Sequence, residues 1–237
     1  YTMLRCLQLC ICFFLGFLSY NTFAQSTLPN AESDRKYRED QFYIGATYNV
    51  LADVPTGVKI RGLSGGIQFG FLRDMPLNKR RNVAIAIGAG LSFNVYGQLL
   101  FIGEEADGKT IFTVLDDQDV DFTRNSFSTS TVEVPIELRW RTSTAETYTF
   151  WRIYAGFNIG YTYWHKSTFK QIGNNVNQTD IPEFQKLRLG TSLTLGYNSF
   201  NFIASYSLNP FFKEALTTDG QEVLFRTLRL GMVFYIL

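Results

Sequence analysis

The 237-residue chain keeps all three of its cysteines, Cys6, Cys10 and Cys12, near its start and has a single histidine, His165. Beyond Cys12 no disulfide can form, so cross-links are excluded as a source of stability. Long apolar runs are also lacking. After residues 7–18, no segment offers the ~20 uninterrupted apolar residues that a transmembrane helix needs. Charge of one sign is missing as well, with 22 Lys and Arg against 21 Asp and Glu. Phosphate backbones call for a basic surface, so nucleic acid is excluded as a partner. There is no HExxH, paired CxxC, Walker loop or GxSxG, which leaves the common enzyme classes without support. Glu104, Glu105, Asp107, Asp116, Asp117, Asp119 and Asp121 are opposed only by Lys109. They fail as a calcium loop, because counting from Asp117 puts Phe122 at the glycine position and Ser128 at the closing glutamate. A solvated acidic loop is expected there, with no metal and no cofactor.

What is present begins with Met3, Arg5, the apolar residues 7–18 and the small, polar residues leading to Ala24. These are the regions of a secretory signal peptide cleaved after Ala24. Its removal takes away Arg5 alone among the charges, leaving 21 basic against 21 acidic residues. Residues 25–40 carry Pro29, Asn30, Glu32, Asp34, Arg35, Lys36, Arg38 and Glu39 and have little to bury. They are expected to form a flexible periplasmic leader.

From residue 41 onward the pattern has a period of two. In the last segment Leu228, Leu230, Met232, Phe234 and Ile236 share one face, while Thr227, Arg229, Gly231 and Tyr235 share the other. Eight such segments are predicted, roughly 41–51, 60–73, 82–102, 125–141, 150–169, 183–198, 200–209 and 221–237. A soluble sandwich also alternates. Two observations favour a barrel in a membrane. The connections alternate between short (residues 74–81, 142–149 and 198–201) and long (residues 103–124, 170–182 and 210–220), with 52–59 a short exception. Aromatics gather at strand ends in two groups. One comprises Trp140, Tyr148, Phe150, Trp151, Tyr197, Phe234 and Tyr235, and the other Phe93, Tyr96, Phe101, Tyr161, Tyr163, Trp164 and Phe169. The fold predicted for residues 41–237 is therefore an all-β, eight-stranded antiparallel up-and-down barrel of the outer-membrane type. The spacing of Arg229, Gly231, Phe234 and Ile236 resembles the terminal signal by which such barrels are recognised for insertion.

By parity Glu133, Glu137, Arg139, Arg141, Arg152, Arg188 and Arg229 point inward. An eight-stranded barrel is just wide enough for its own side chains, so these charges are expected to interlock as a plug. On the outward parity lie His165 and Ser167, with Glu183 at the start of the next segment. Lipid A deacylases, another eight-stranded family, use histidine and serine two apart on the outer wall with a glutamate as third member. An acyl hydrolase built on Ser167, His165 and Glu183 is therefore one alternative to a nonenzymatic role, and a narrow channel is another.

The run Thr131-Val132-Glu133-Val134-Pro135-Ile136-Glu137-Leu138-Arg139-Trp140-Arg141, then Tyr154-Ala155-Gly156, resembles the PorT-like outer-membrane barrels of Bacteroidetes. So do Asn209-Pro210-Phe211-Phe212-Lys213 and the closing Leu228-Arg229-Leu230-Gly231 and Phe234-Tyr235-Ile236-Leu237. That resemblance implies a nonenzymatic barrel in the outer membrane of a Gram-negative bacterium, with its amino terminus in the periplasm. It also implies contact with outer-membrane lipid and with outer-membrane or periplasmic protein partners, and a link to type IX secretion and protein transport.

Overall fold

Alternating apolar and small polar residues, rich in β-branched and aromatic side chains, favour strands half exposed to each side. The computed structural model describes residues 41–105, 108–115, 121–142, 151–197 and 200–236. Eleven strands lie within them: β1 (Gln41–Ala52), β2 (Gly65–Pro76), β3 (Val83–Gly97), β4 (Leu100–Glu104), β5 (Thr110–Val114), β6 (Arg124–Arg141), β7 (Trp151–Gln171), β8 (Asn174–Gln178), β9 (Leu187–Tyr197), β10 (Phe200–Ser207) and β11 (Arg226–Ile236). Eight of them run antiparallel in the order β6-β3-β2-β1-β11-β10-β9-β7, and β6 pairs back onto β7. The first strand meets the last from Phe42↔Ile236 to Ala52↔Arg226. Closure leaves no strand edge in lipid, where an unpaired backbone group has no water to turn to.

All eight predicted barrel segments are strands. Their ends differ where the chain continues the sheet past charged residues or leaves it for a new element. The second runs on to Pro76 and takes in Asp74, a residue expected in a turn. The third stops at Gly97. Past it, residues 100–102 of the predicted strand join the start of the predicted long loop in a hairpin of β4 and β5. At the same end β7 continues to Gln171 and turns directly into β8. The predicted start of the last strand, residues 221–225, lies instead in an irregular segment folded into the barrel mouth.

The alternation separates two faces as anticipated. On β9, Leu187, Leu193, Leu195 and Tyr197 are exposed, while Thr194 is buried. On β3, Ala84, Ala86, Ser92 and Asn94 are buried. One aromatic group, Trp140, Trp151, Tyr197, Phe200 and Phe234, is exposed near the short-turn end. The rings of Trp151 and Tyr197 face each other across the ladder at 4.9 Å. Tyr48, Tyr161, Tyr163 and Trp164 are exposed toward the long-loop end. Three expected belt members turn inward: Tyr96 and Phe169 are buried among other rings, and the Tyr235 ring lies against that of Tyr154. Tyr148 and Phe150 lie outside the described residues, as do residues 1–40.

A single irregularity redirects the outer part of β7. Its register against β6 passes from Thr131↔Thr162 to Ser130↔Trp164, so Tyr163 is an inserted residue. Such a bulge flips the parity of everything beyond it. The ladder to β9 covers Trp151 to Tyr161. That is about the 9–11 residues that cross a membrane, so residues 162–171 stand above it.

The outward face of the barrel gives a direct test. Leu193 is 46% exposed at the middle of β9. Leu193→Arg is expected to cost about 2–4 kcal/mol at the midplane and to impair insertion into lipid vesicles, scored by heat-modifiable gel mobility. Unimpaired insertion would mean that this face does not meet lipid.

Candidate functional site: a filled lumen under a closed mouth

At the short-turn end the lumen is crossed by an ion-pair network. Arg139 is fully buried, with Nε 2.9 Å from Glu137 Oε2 and Nη1 3.1 Å from Asp74 Oδ1. It also donates to Gln41 Oε1, and its guanidinium stacks 4.7 Å from the Tyr154 ring. Arg141 places Nη2 2.9 Å from Asp74 Oδ2 and donates through Nε to the Arg81 carbonyl. The two oxygens of Asp74 thus bridge two arginines, of which Arg139 also pairs with Glu137. The plug expected from parity contained Glu137, Arg139 and Arg141 but not Asp74. Continuing the period of two through Gln68, Gly70 and Leu72 would have placed Asp74 inside.

Midway along the lumen Tyr43 lies across Gly70 and Gly90, which face each other in the β2–β3 ladder. A Cβ on Gly90 would collide with the Tyr43 hydroxyl, so the ring needs a glycine there. Above it, Arg229 Nη1 donates to Glu133 Oε1 at 3.2 Å, and that oxygen also accepts from Ser92. Asn94 donates to Ser92 and accepts from Asn49. Arg188 donates to the carbonyls of Pro210 and Asn209 at 2.7 and 3.0 Å, with its guanidinium 4.2 Å from the centre of the Phe211 ring. Among the described residues no carboxylate pairs with it. Arg152 donates to Asn201 Oδ1 at 3.5 Å.

At the long-loop end the mouth is roofed by apolar side chains from all four connections and the strand ends beside them. Val58 comes from the first connection, beside Leu51 of β1; Leu100, Ile102 and Phe112 from the second, beside Tyr96 of β3; Ile181 and Phe184 from the third; Phe211, Phe212, Val223 and Phe225 from the fourth. Each such side chain, fully buried, contributes about 1.5–3 kcal/mol. The connections at this end therefore supply a second core, and part of it comes from the segment predicted to be a solvated acidic loop. Of the acidic loop, Asp107, Asp116, Asp117 and Asp119 lie outside the described residues, while the neighbouring Leu100, Ile102 and Phe112 are buried in this roof.

The proposed outer-wall triad is not on the outer wall. Because of the bulge at Tyr163, His165 and Ser167 point inward and are 9% and 1% exposed. The His165 ring stacks on Phe184 at 4.3 Å. His165 Nε2, Ser167 Oγ and Glu183 Oε2 are buried and hydrogen-bonded neither to each other nor to other side chains. Ser167 Oγ has no hydrogen bond to His165 Nε2, and neither side chain faces lipid, whereas the acyl-hydrolase alternative requires both. His165 stands above the spanning part of β7. Burial lowers its pKa, the nearby Lys186 lowers it further, and Asp180 opposes them.

A closed, eight-stranded antiparallel barrel with an apolar outer wall and a polar, ion-paired interior defines an outer-membrane β-barrel protein. The model of the outer membrane protein beta-barrel domain family matches residues 23–213, and the chain belongs to that family. The last strand lies beyond the matched span but closes the barrel against the first. Similar solved structures include Ail, the attachment invasion locus protein of Yersinia pestis, in complex with the heparin analogue sucrose octasulfate. It shares 16% identity, with 84% of this chain and 99% of that one covered and a TM-score of 0.33. A second crystal structure of Ail gives 15%, 83%, 97% and 0.37. Its backbone structure in a phospholipid bilayer nanodisc gives 17%, 84%, 100% and 0.34. Comparison with curated protein sequences gives no match.

Two measurements probe this interior. Asp74→Asn leaves two buried guanidiniums short of a counter-charge and is expected to cost about 3–5 kcal/mol in urea unfolding. By contrast Asp53→Asn breaks the exposed pair with Arg226, and its expected cost is about 0–1 kcal/mol. A similar cost for both would remove Asp74 from its central place. For His165 the unfolded chain takes up a proton at a higher pH than the folded one, because burial lowers the folded pKa. Stability is therefore fully present above the ordinary histidine range near pH ~6.5 and falls as the pH drops through it. His165→Gln should remove that step from the pH dependence of the unfolding midpoint, and an unchanged profile would show that His165 does not contribute it.

Proposed function

We propose that this protein is a nonenzymatic, nonconducting barrel that serves as a structural or accessory component of the envelope, acting through its long-loop end and outer wall. The observation that carries this reading is the double closure. An ion-paired tier spans the lumen near one end, and an apolar roof covers it at the other. Two cavities among the lumen side chains are small, at about 50 and 20 Å³. That is room for a few waters. On this reading residues 1–24 are removed, residues 25–40 remain in the periplasm, and the long-loop end faces outward, in keeping with the short turns of such barrels lying on the periplasmic side. The resemblance of residues 131–141 and 209–213 to PorT-like barrels supports a place beside a type IX secretion apparatus, with partners in the outer membrane or periplasm.

The channel alternative makes the opposite statement about the lumen. Purified protein in planar bilayers is expected to show no steady open state, while a reproducible large conductance would overturn the filled-lumen reading. Detergent extraction and pull-down with mass spectrometry then separates a secretion-system subunit, which retains the same partners in repeated preparations, from a barrel that stands alone.

A further inference from the structure

Among the described residues, two tiers of lumen charge are matched by carboxylates, and Arg188 lies outside both. At the short-turn end two carboxylates, Asp74 and Glu137, face two guanidiniums, Arg139 and Arg141. Midway, Glu133 faces Arg229. Arg188 is left with backbone carbonyl dipoles and one aromatic face. Those contacts orient the half-buried cation without cancelling its charge, and a charge partly shielded from water favours a nearby opposite charge.

Arg188 and Arg229 line the same cavity of about 50 Å³, together with Glu133, Asn94, Thr129 and Thr227. An arginine has five N–H donors. Arg188 commits two of them and Arg229 one, so most of the donors on both side chains are free to serve the space between them. Thr129 and Thr227 are buried and add hydroxyls to the wall. The cavity is far below the roughly 300–1,000 Å³ of sites for small organic ligands. At about 10–15 Å³ of such volume per water, it has room for one small ion and some of its hydration. We infer that this cavity is a binding site for a single small monovalent anion of chloride size, held between Arg188 and Arg229. The anion supplies the negative charge that this tier lacks and thereby completes the filling of the lumen. This inference goes beyond the envelope role proposed above and does not depend on the choice of partner.

The test uses the full barrel refolded into detergent micelles, with its unfolding midpoint followed by heat-modifiable gel mobility. Sodium chloride is exchanged for sodium gluconate at constant ionic strength, since gluconate is too large for the cavity. A ligand bound only by the folded state raises the midpoint with its concentration. A rise of roughly 5 °C over a hundredfold increase in chloride is expected for a barrel of this size. Lys213→Gln, which removes an exposed charge on the same connection, should keep the dependence. Arg188→Gln should abolish it. Equal midpoints in the two salts, or a chloride dependence that survives Arg188→Gln, would overturn the site. If Arg188→Gln does not fold, crystals of the unaltered protein grown with bromide decide the matter. An anomalous peak between the two guanidinium groups supports the inference, and an empty cavity sinks it.

Discussion

The rest of this molecule follows from the obligation of a strand in lipid to pair both of its edges. With no water in the hydrocarbon layer, the sheet must close, and eight strands close on a lumen only as wide as side chains. The lumen is then neither lipid nor solvent. Charged groups placed there lose most of their hydration, so they must be matched in number and in geometry. The tier around Asp74 satisfies this requirement, because one carboxylate is divided between Arg139 and Arg141 while Glu137 supplies the second charge. Gln41 and the Tyr154 ring occupy remaining faces of Arg139. A buried pair of this kind is weak evidence of net stabilisation. Its consequence is specificity, since slipping any of these strands by one residue would send a charge into lipid.

The roof obeys a different rule. Above the membrane the connections regain water, and the usual hydrophobic driving force returns. Phe127, Phe184, Phe211 and Phe212 meet at centroid distances of 5.5 to 6.4 Å, in tilted, stacked and edge-on arrangements. The protein therefore has two cores of opposite character stacked along one axis. The lower one depends on electrostatic matching and the upper one on apolar burial. Arg188 sits at their boundary, with its guanidinium against Phe211 and its free donors toward the polar cavity.

A period of two is a strong local signal, and wherever it persists the faces of the strands were readable from residues alone. Leu193 and Leu195 outside, with Glu137 and Arg139 inside, followed directly. The failures share a cause, since parity is a count and a count is lost when one residue is inserted. The extra residue at Tyr163 has no signature in the composition of β7, so His165 and Ser167 were carried to the wrong side of the wall. Asp74 was missed for the converse reason. The run of charged residues after Leu72 resembles a turn, yet the sheet continues through it because Arg139 and Arg141 on another strand await a carboxylate. The roof was hidden in part because the acidic residues around Asp107 and Asp116 made their connection read as solvated. Phe211 and Phe212, adjacent in the predicted connection 210–220, were a visible hint that it had something to bury.

The roof draws on all four long connections, including the one after β1 and the one that ends at β11. These lie at opposite ends of the described chain, and they come together only when the first and last strands pair. A barrel missing its final hairpin would retain Leu100, Ile102, Phe112 and Phe184 but would have no Phe211, Phe212 or Phe225 to cover them. An unfinished molecule would thus display an open aromatic surface at its mouth, and a finished one would hide it. The roof is in this sense a built-in marker of complete assembly, legible to any quality-control factor that samples exposed apolar surface.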